Sequence, residues 1–207
     1  MDTTLFRKNY DSQFILVQIY VDNIIFGATN EPLYKDFSKL IQAKFEMSMV
    51  TELKLFLGLQ IKETRNGIYV NQTKHVNELL KKFKLKDAKE MRTRMYPTTC
   101  LGLDEESNKV DNSQYKAMIG SLLYLTTSKP NILFTIRLYA RFQQDPREAH
   151  FTAVKILFKY LIGTSNFGLY FKHNKEFRLI SYYDANYVGD KLERRSTSGS
   201  CHLLVET

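Results

Sequence analysis

The feature that most constrains this chain is Tyr20-Val21-Asp22-Asn23, set between two apolar runs. Phe14 to Val21 reads as a strand and Ile24 to Gly27 as its partner, with Asp22 and Asn23 left to turn the chain. Asp and Asn tolerate the positive backbone angle that tight hairpins require, so the turn forms at little local cost. A carboxylate on a stiff two-residue turn also makes a good metal ligand, because few degrees of freedom remain to be fixed. By itself the tetrapeptide describes an ordinary hairpin.

Helical periodicity follows. Asn30 can cap a helix over 31–46 with Pro32 in its first turn, and Leu33, Phe37, Leu40, Ile41 and Phe45 recur at the spacing of one buried face. Residues 55–61 and 67–71 read as a second hairpin around Asn66-Gly67. Val76, Leu79, Leu80 and Phe83 define a further helix, from about Gln72 to Lys84, with Lys74, Lys81, Lys82 and Lys84 mostly off the apolar stripe. Residues 91–111, with Pro97, Gly102 and Asp104-Glu105-Glu106, read as a linker. Three helices are expected beyond it. Tyr115, Met118, Ile119 and Leu122 line the first, the second runs from Pro130 to about Gln143, and Asp145-Pro146-Arg147-Glu148 looks like the capping box of the third. Phe151, Val154, Phe158 and Leu161 face inward on that helix, which Gly163 ends. The period then shifts to two, giving strands at 169–171, 177–183 and 200–205.

Charge narrows the partners. The 207 residues carry 30 Lys and Arg against 22 Asp and Glu, a net charge of +8 that favours polyanions. Lys74 to Arg94 holds eight bases and three acids, so it supplies +5 of that total. Such a run also fits a plain solvated helix face. Cys100 and Cys201 make no disulfide framework or zinc pattern, and His75, His150, His173 and His202 show no ligand spacing, which fits a reduced intracellular setting. Uncharged apolar stretches such as Ser12 to Val21 are too short to span a bilayer, and the first residues lack a signal-peptide pattern, so no membrane partner is expected.

A series of blocks, in order, resembles the reverse transcriptase of copia-type LTR retrotransposons. Tyr20 to Gly27 is similar to that family's Tyr-Val-Asp-Asp-Ile-Ile-Phe-Gly hairpin. Phe45 to Met49, Glu52 to Lys54 and Phe56 to Ile61 resemble its approach to the primer grip. Met118 to Leu125 and Ser128 to Ile132 resemble its most recognisable block, and Tyr182 to Gly189 with Arg195 to Gly199 resemble the opening of its RNase H domain. The resemblance implies an α+β fold with four parts. These are the later palm with its primer-grip hairpin and first thumb helix (1–90), a linker (91–111), thumb-like helices (112–165) and truncated RNase H-like strands (166–207).

It also implies a chemistry. Nucleotide addition uses two divalent ions held by carboxylates, and Mg²⁺ takes hard oxygen ligands. Asp22 would be one such ligand, while Asn23 stands where the family has its second Asp. A third Asp belongs to family sequence upstream of Met1. Asp184 matches the first RNase H carboxylate, a second candidate metal ligand, with its partners expected beyond Thr207. Phe56, Leu57, Gly58 and Leu59, with Lys74, Lys81 and Lys82, would meet an RNA/DNA primer–template duplex. In the family the rest of the Pol polyprotein is a further partner. The expected function is an inactive fragment of an RNA-directed DNA polymerase. The alternatives are a non-enzymatic module that binds duplex and a translated relic with no role.

The departures share a pattern. Asn23, Asn131 and Asn186 replace family Asp, Ser181 replaces Gly, and Val188 replaces Ala. Each can arise by one transition in a codon, as cytosine deamination of a silenced element would produce. A transversion-rich spectrum against intact relatives would contradict that origin.

Overall fold

The computed structural model describes residues 4–47, 52–95, 101–102, 106–173, 177–186 and 197–206. Parts of the expected blocks at Ser48-Met49, Val188-Gly189 and Arg195-Ser196, together with Pro97, Cys100 and Asp104-Glu105, lie outside these residues. The chain divides into two compact units, Met1–Lys54 and Leu55–Thr207.

The first unit is a three-stranded antiparallel sheet, β1 (Leu5–Tyr10), β2 (Gln13–Tyr20) and β3 (Asn23–Ala28), in the order β1-β2-β3. β1 escapes sequence reading because Arg7, Lys8 and Asn9 break any apolar alternation. It forms by pairing, from Leu5 opposite Gln18 to Tyr10 opposite Gln13, around a turn at Asp11 with φ +50°. The hairpin expected at Asp22-Asn23 is real, but its turn is shifted. Tyr20 pairs with Asn23, so Val21 and Asp22 make the loop and Asn23 opens β3.

Helix α1 (Glu31–Lys44) follows, capped by Asn30, whose side chain accepts from the Leu33 amide at 3.1 Å. The Asn30 side-chain amide donates to Gln13 Oε1 at 2.5 Å, and Thr29 Oγ1 accepts from the Phe14 amide at 3.0 Å. These bonds tie the helix start to the start of β2. Phe26 of β3 meets Phe37 of α1 edge to face at 4.9 Å, so the hairpin packs on the helix as expected. The expected buried face is only half covered. Leu40 and Phe45 are 54% and 59% exposed, and Ile15 is the one buried side chain among the described residues of this unit.

The second unit opens with β4 (Leu55–Phe56), β5 (Leu59–Thr64) and β6 (Gly67–Asn71). Residues 55–61 are thus two strands rather than one. Leu57 and Gly58 turn between them, with φ of +47° and +72°. The next loop is Arg65-Asn66, one residue earlier than expected, because Thr64 pairs with Gly67 and its hydroxyl donates to the Gly67 carbonyl at 2.8 Å. β7 (Gly168–Lys172) completes this sheet beside β6, so it does not group with the strands that follow it. The approach is close. A Cβ on Gly67 would lie 2.3 Å from the Phe171 carbonyl oxygen, which only glycine allows.

Four helices form the core: α2 (Thr73–Lys82), α3 (Asn112–Leu125), α4 (Leu133–Ala140) after a 3-10 turn at Pro130–Ile132, and α5 (Glu148–Gly163). The predicted stripes pack together. Val76, Leu79 and Leu80 meet Tyr115, Met118, Leu122, Ile136, Val154, Phe158 and Leu161 in one buried cluster. The Tyr115 hydroxyl donates to the Tyr139 carbonyl at 2.9 Å, which satisfies a buried polar group.

Two expectations change here. The 91–111 segment is not a free linker. The Met91 amide donates to the Lys159 carbonyl, the Val110 amide to Pro146, and Met95 and Leu101 lie against the core. Nor does Asp145 cap α5. Its carboxylate is engaged by Arg147 Nη2 at 2.7 Å and Lys109 Nζ at 3.3 Å, which hold it below the usual carboxylate range. The helix begins at Glu148 instead, and His150 Nδ1 accepts from the Arg147 amide at 3.0 Å. Finally, β8 (Phe177–Asn186) and β9 (Thr197–Glu206) form a separate two-stranded sheet.

Candidate nucleic-acid interface and the acidic turn

The acidic turn is built by register. With Tyr20 opposite Asn23, a two-residue loop must reverse the chain, and Val21 takes φ +51° at its first position. That is the pattern of a type II′ turn, where glycine is usual. A β-branched residue there is strained, by about 1–3 kcal/mol for such a backbone. Val21 is also 79% exposed, so its side chain gains little from packing. Asp22 is presented to solvent at the tip beside it.

The turn offers one carboxylate and one amide. Among the described residues, no three His, Cys, Asp or Glu side chains come together as a metal-binding group. The residues at this turn therefore do not by themselves fit a pair of divalent ions. Asp184 lies in the second unit, in β8 opposite Gly199, and its side chain is outside the described residues.

The basic candidates assemble better. The Gln60 side chain on β5 accepts from the Lys74 amide at 2.8 Å, which fixes the first turn of α2 beside the β4–β5 hairpin. Tyr124 of α3 closes the other side. Its hydroxyl donates to the Leu57 carbonyl, and its ring meets His75 edge to face at 5.2 Å. Gly58 suits its positive φ, and a Cβ there would lie 3.1 Å from the Tyr124 hydroxyl, a tight contact from which that side chain would have to give. Phe56, Leu57, Gly58 and Leu59 thus sit near the start of α2. Lys74, Lys81 and Lys82 are all exposed along the helix, and Glu78, one turn from Lys74 and Lys82, offsets part of their charge.

Beneath this surface lies a buried polar support that the sequence reading did not single out. Gln72 is fully buried, and its Oε1 accepts from Ser128 Oγ at 2.7 Å. The neighbouring Lys129 is 3% exposed. Its amine donates to the carbonyls of Thr164 at 2.8 Å, Ser165 at 3.2 Å and Phe167 at 2.5 Å. Burial pushes its pKa down to about 8. One amine therefore gathers the carbonyls that follow α5 and lead into β7. In the sequence Lys129 stands out only as part of the Ser128 to Ile132 block, and no periodicity shows its depth. His150 was also passed over. It is buried, stacked on Phe142 at 3.9 Å, with Nε2 on the Gly102 carbonyl at 2.8 Å.

Residues 1–97 match the family model described as reverse transcriptase (RNA-dependent DNA polymerase). A retrovirus-related Pol polyprotein from transposon RE1 of Arabidopsis thaliana is 30% identical over 198 residues, covering 96% of this chain and 14% of that protein. A second such Pol polyprotein, from a Nicotiana tabacum transposon, is 27% identical over 94% of this chain and 15% of its own length. An uncharacterized mitochondrial protein of Arabidopsis thaliana is 28% identical over 186 residues, 90% of this chain and 77% of that protein. The chain thus spans only about a seventh of the Pol polyproteins it matches. No solved structure matches it. No described helix is long and apolar enough to cross a membrane.

Proposed function

We infer, from a chain whose first 97 residues belong to the reverse transcriptase family and which aligns almost throughout with copia-type transposon Pol polyproteins, that it binds nucleic-acid backbone and does not by itself polymerise. The observation that carries this reading is the contrast at the two candidate sites. The acidic turn offers Asp22 with a neutral amide at Asn23, whereas the face of α2 offers Lys74, Lys81 and Lys82 on a helix anchored to a buried core. Magnesium would find a single carboxylate at the turn, and hard-cation sites depend on each of their few oxygen ligands.

The ligand of the α2 face would be a duplex read by its phosphates. Lysine contacts to phosphate position a duplex without reading bases, so binding should be independent of sequence. Its dissociation constant should be on the order of 10⁻⁴–10⁻⁶ M at physiological salt. Primer extension with Mg²⁺ on an RNA-templated DNA primer tests the catalytic half. We expect no product above background, and no rescue by Asn23→Asp alone. Extension by the purified chain that Asp22→Ala abolishes would overturn this reading.

A further inference from the structure

The α4 side of the helical unit carries a second feature suited to nucleic acid. The segment Arg92–Met95 runs past the start of α4 and lines, with Asn131, Phe134 and Tyr160, an open cavity of about 870 Å³. Arg94 Nη1 donates to the Asn131 carbonyl, and the Asn131 side-chain amide donates to the Tyr160 hydroxyl at 3.2 Å. These bonds fix the polar wall. They use one of the five donors that the Arg94 guanidinium carries. Arg92 adds a second guanidinium, and among the described residues no carboxylate lines the cavity.

An exposed aromatic ring lines the same cavity. Phe134 is 69% exposed, although it sits on a helix whose Thr135, Ile136 and Tyr139 are buried. One turn along the same helix, Arg137 is exposed, and Arg141 follows one turn further. Phe134, Arg137 and Arg141 thus share the outer face of α4 and its end, at steps of three and four residues. Flat aromatic rings flanked by arginines suit one ligand chemistry well. An unpaired base stacks on the ring while successive phosphates meet the guanidiniums. A base inside a duplex cannot offer its face in this way.

We propose that Phe134, with Arg92, Arg94 and Arg137, binds single-stranded nucleic acid by stacking an unpaired base on the ring. This site is separate from the α2 face and does not depend on it. A carboxylate in place of the Asn131 amide would sit among the guanidiniums of Arg92 and Arg94 and oppose phosphate.

The chain contains no tryptophan, so Phe134→Trp places its one indole at the platform. Titration of this variant with oligothymidylate of about twelve nucleotides, within the span of such strand sites, should quench the indole emission, and a blunt duplex of equal length should not. In anisotropy with the labelled strand, Phe134→Ala should weaken binding roughly tenfold, the value of one stacked base, with the net charge unchanged. Asn131→Asp should also weaken it, and circular dichroism of each variant should match the parent. Equal affinity of Phe134→Ala for the strand would overturn the proposal, as would equal quenching by strand and duplex. Quenching by thymidine monophosphate at the same concentration as the oligonucleotide would also overturn it, marking a nucleotide pocket rather than a strand site. Loss of duplex binding on the α2 face would leave all these outcomes unaffected.

Discussion

The two units solve the problem of stability differently. Met1–Lys54 holds the acidic turn on a sheet and one helix, with Ile15 its only buried side chain among the described residues. Leu55–Thr207 packs four helices around a continuous core in which Tyr115, Leu122, Val154, Leu157, Phe158 and Leu161 are wholly buried. The first is held by local devices: tight turns, the Asn30 cap and one aromatic pair. The second is held by apolar area removed from water, the larger of the two kinds of contribution. The comparison separates a motif that is legible because it is local from a surface that is rigid because its foundation is not.

The largest expected effect breaks the core. Phe158→Ala should destabilise the second unit by about 3–5 kcal/mol, whereas Phe37→Ala in the first should cost about 1–2 kcal/mol, mainly its edge contact with Phe26. Denaturant unfolding read by helical circular dichroism checks both. Equal losses would erase the distinction between the units. Amide exchange sharpens it without mutation. The amides of β2 and β3 should exchange at lower protection than those of α3 and α5, because local opening there exposes little apolar surface.

The next effect is set by Lys129. Folding depresses its pKa from 10.5 to about 8, so between these values the unfolded chain holds a proton that the folded chain has released. Stability should therefore rise as pH increases from 8 towards 10, by up to about 3 kcal/mol in total. Above 10 the trend should reverse. Burial raises Tyr139 to about 12 and drives Tyr115 higher still, so the unfolded chain then loses phenolic protons first. Lys129→Met should remove the rise and destabilise the unit at pH 7, because the carbonyls of Thr164, Ser165 and Phe167 lose their donor. Melting across pH 7–11 gives the answer.

The smallest effect concerns the acidic turn. Val21→Gly should relieve its positive φ and stabilise the β2–β3 hairpin by about 1 kcal/mol, visible as slower amide exchange at Gln18 and Ile25, which pair across it. No change would mean that the backbone at Val21 is unstrained.

Most of the helical pattern was legible, because apolar spacing at Val76, Leu79 and Leu80, or at Val154, Phe158 and Leu161, reports directly which face is covered. Turns were less so. Asp22-Asn23 and Asn66-Gly67 both carry good turn residues, yet each true loop lies one position earlier, since strand pairing rather than propensity sets register. Leu57 was hidden for a related reason. Its positive φ is imposed by the β4–β5 pairing and the Tyr124 contact, and nothing in a leucine announces it. β7 was placed with the wrong strands because sequence order does not show that Tyr69 would pair with Tyr170. Of the candidate site, Lys74, Lys81 and Lys82 could be read as a cationic face. Lys129 could not be read, because a buried lysine looks like any other until the carbonyls around it are placed.

The central claim is that α2, rather than bulk charge, meets the nucleic-acid backbone. It is tested by the salt dependence of duplex binding for two triple variants of equal charge. Replacing Lys74, Lys81 and Lys82 by Ala should reduce the slope of log affinity against log salt by roughly 0.9 for each phosphate that no longer has a lysine to neutralise it. Replacing Lys8, Lys39 and Lys116, exposed elsewhere, should leave that slope nearly intact. Equal loss of affinity and slope in the two triples would contradict the assignment and leave only the diffuse attraction of a chain with net charge +8.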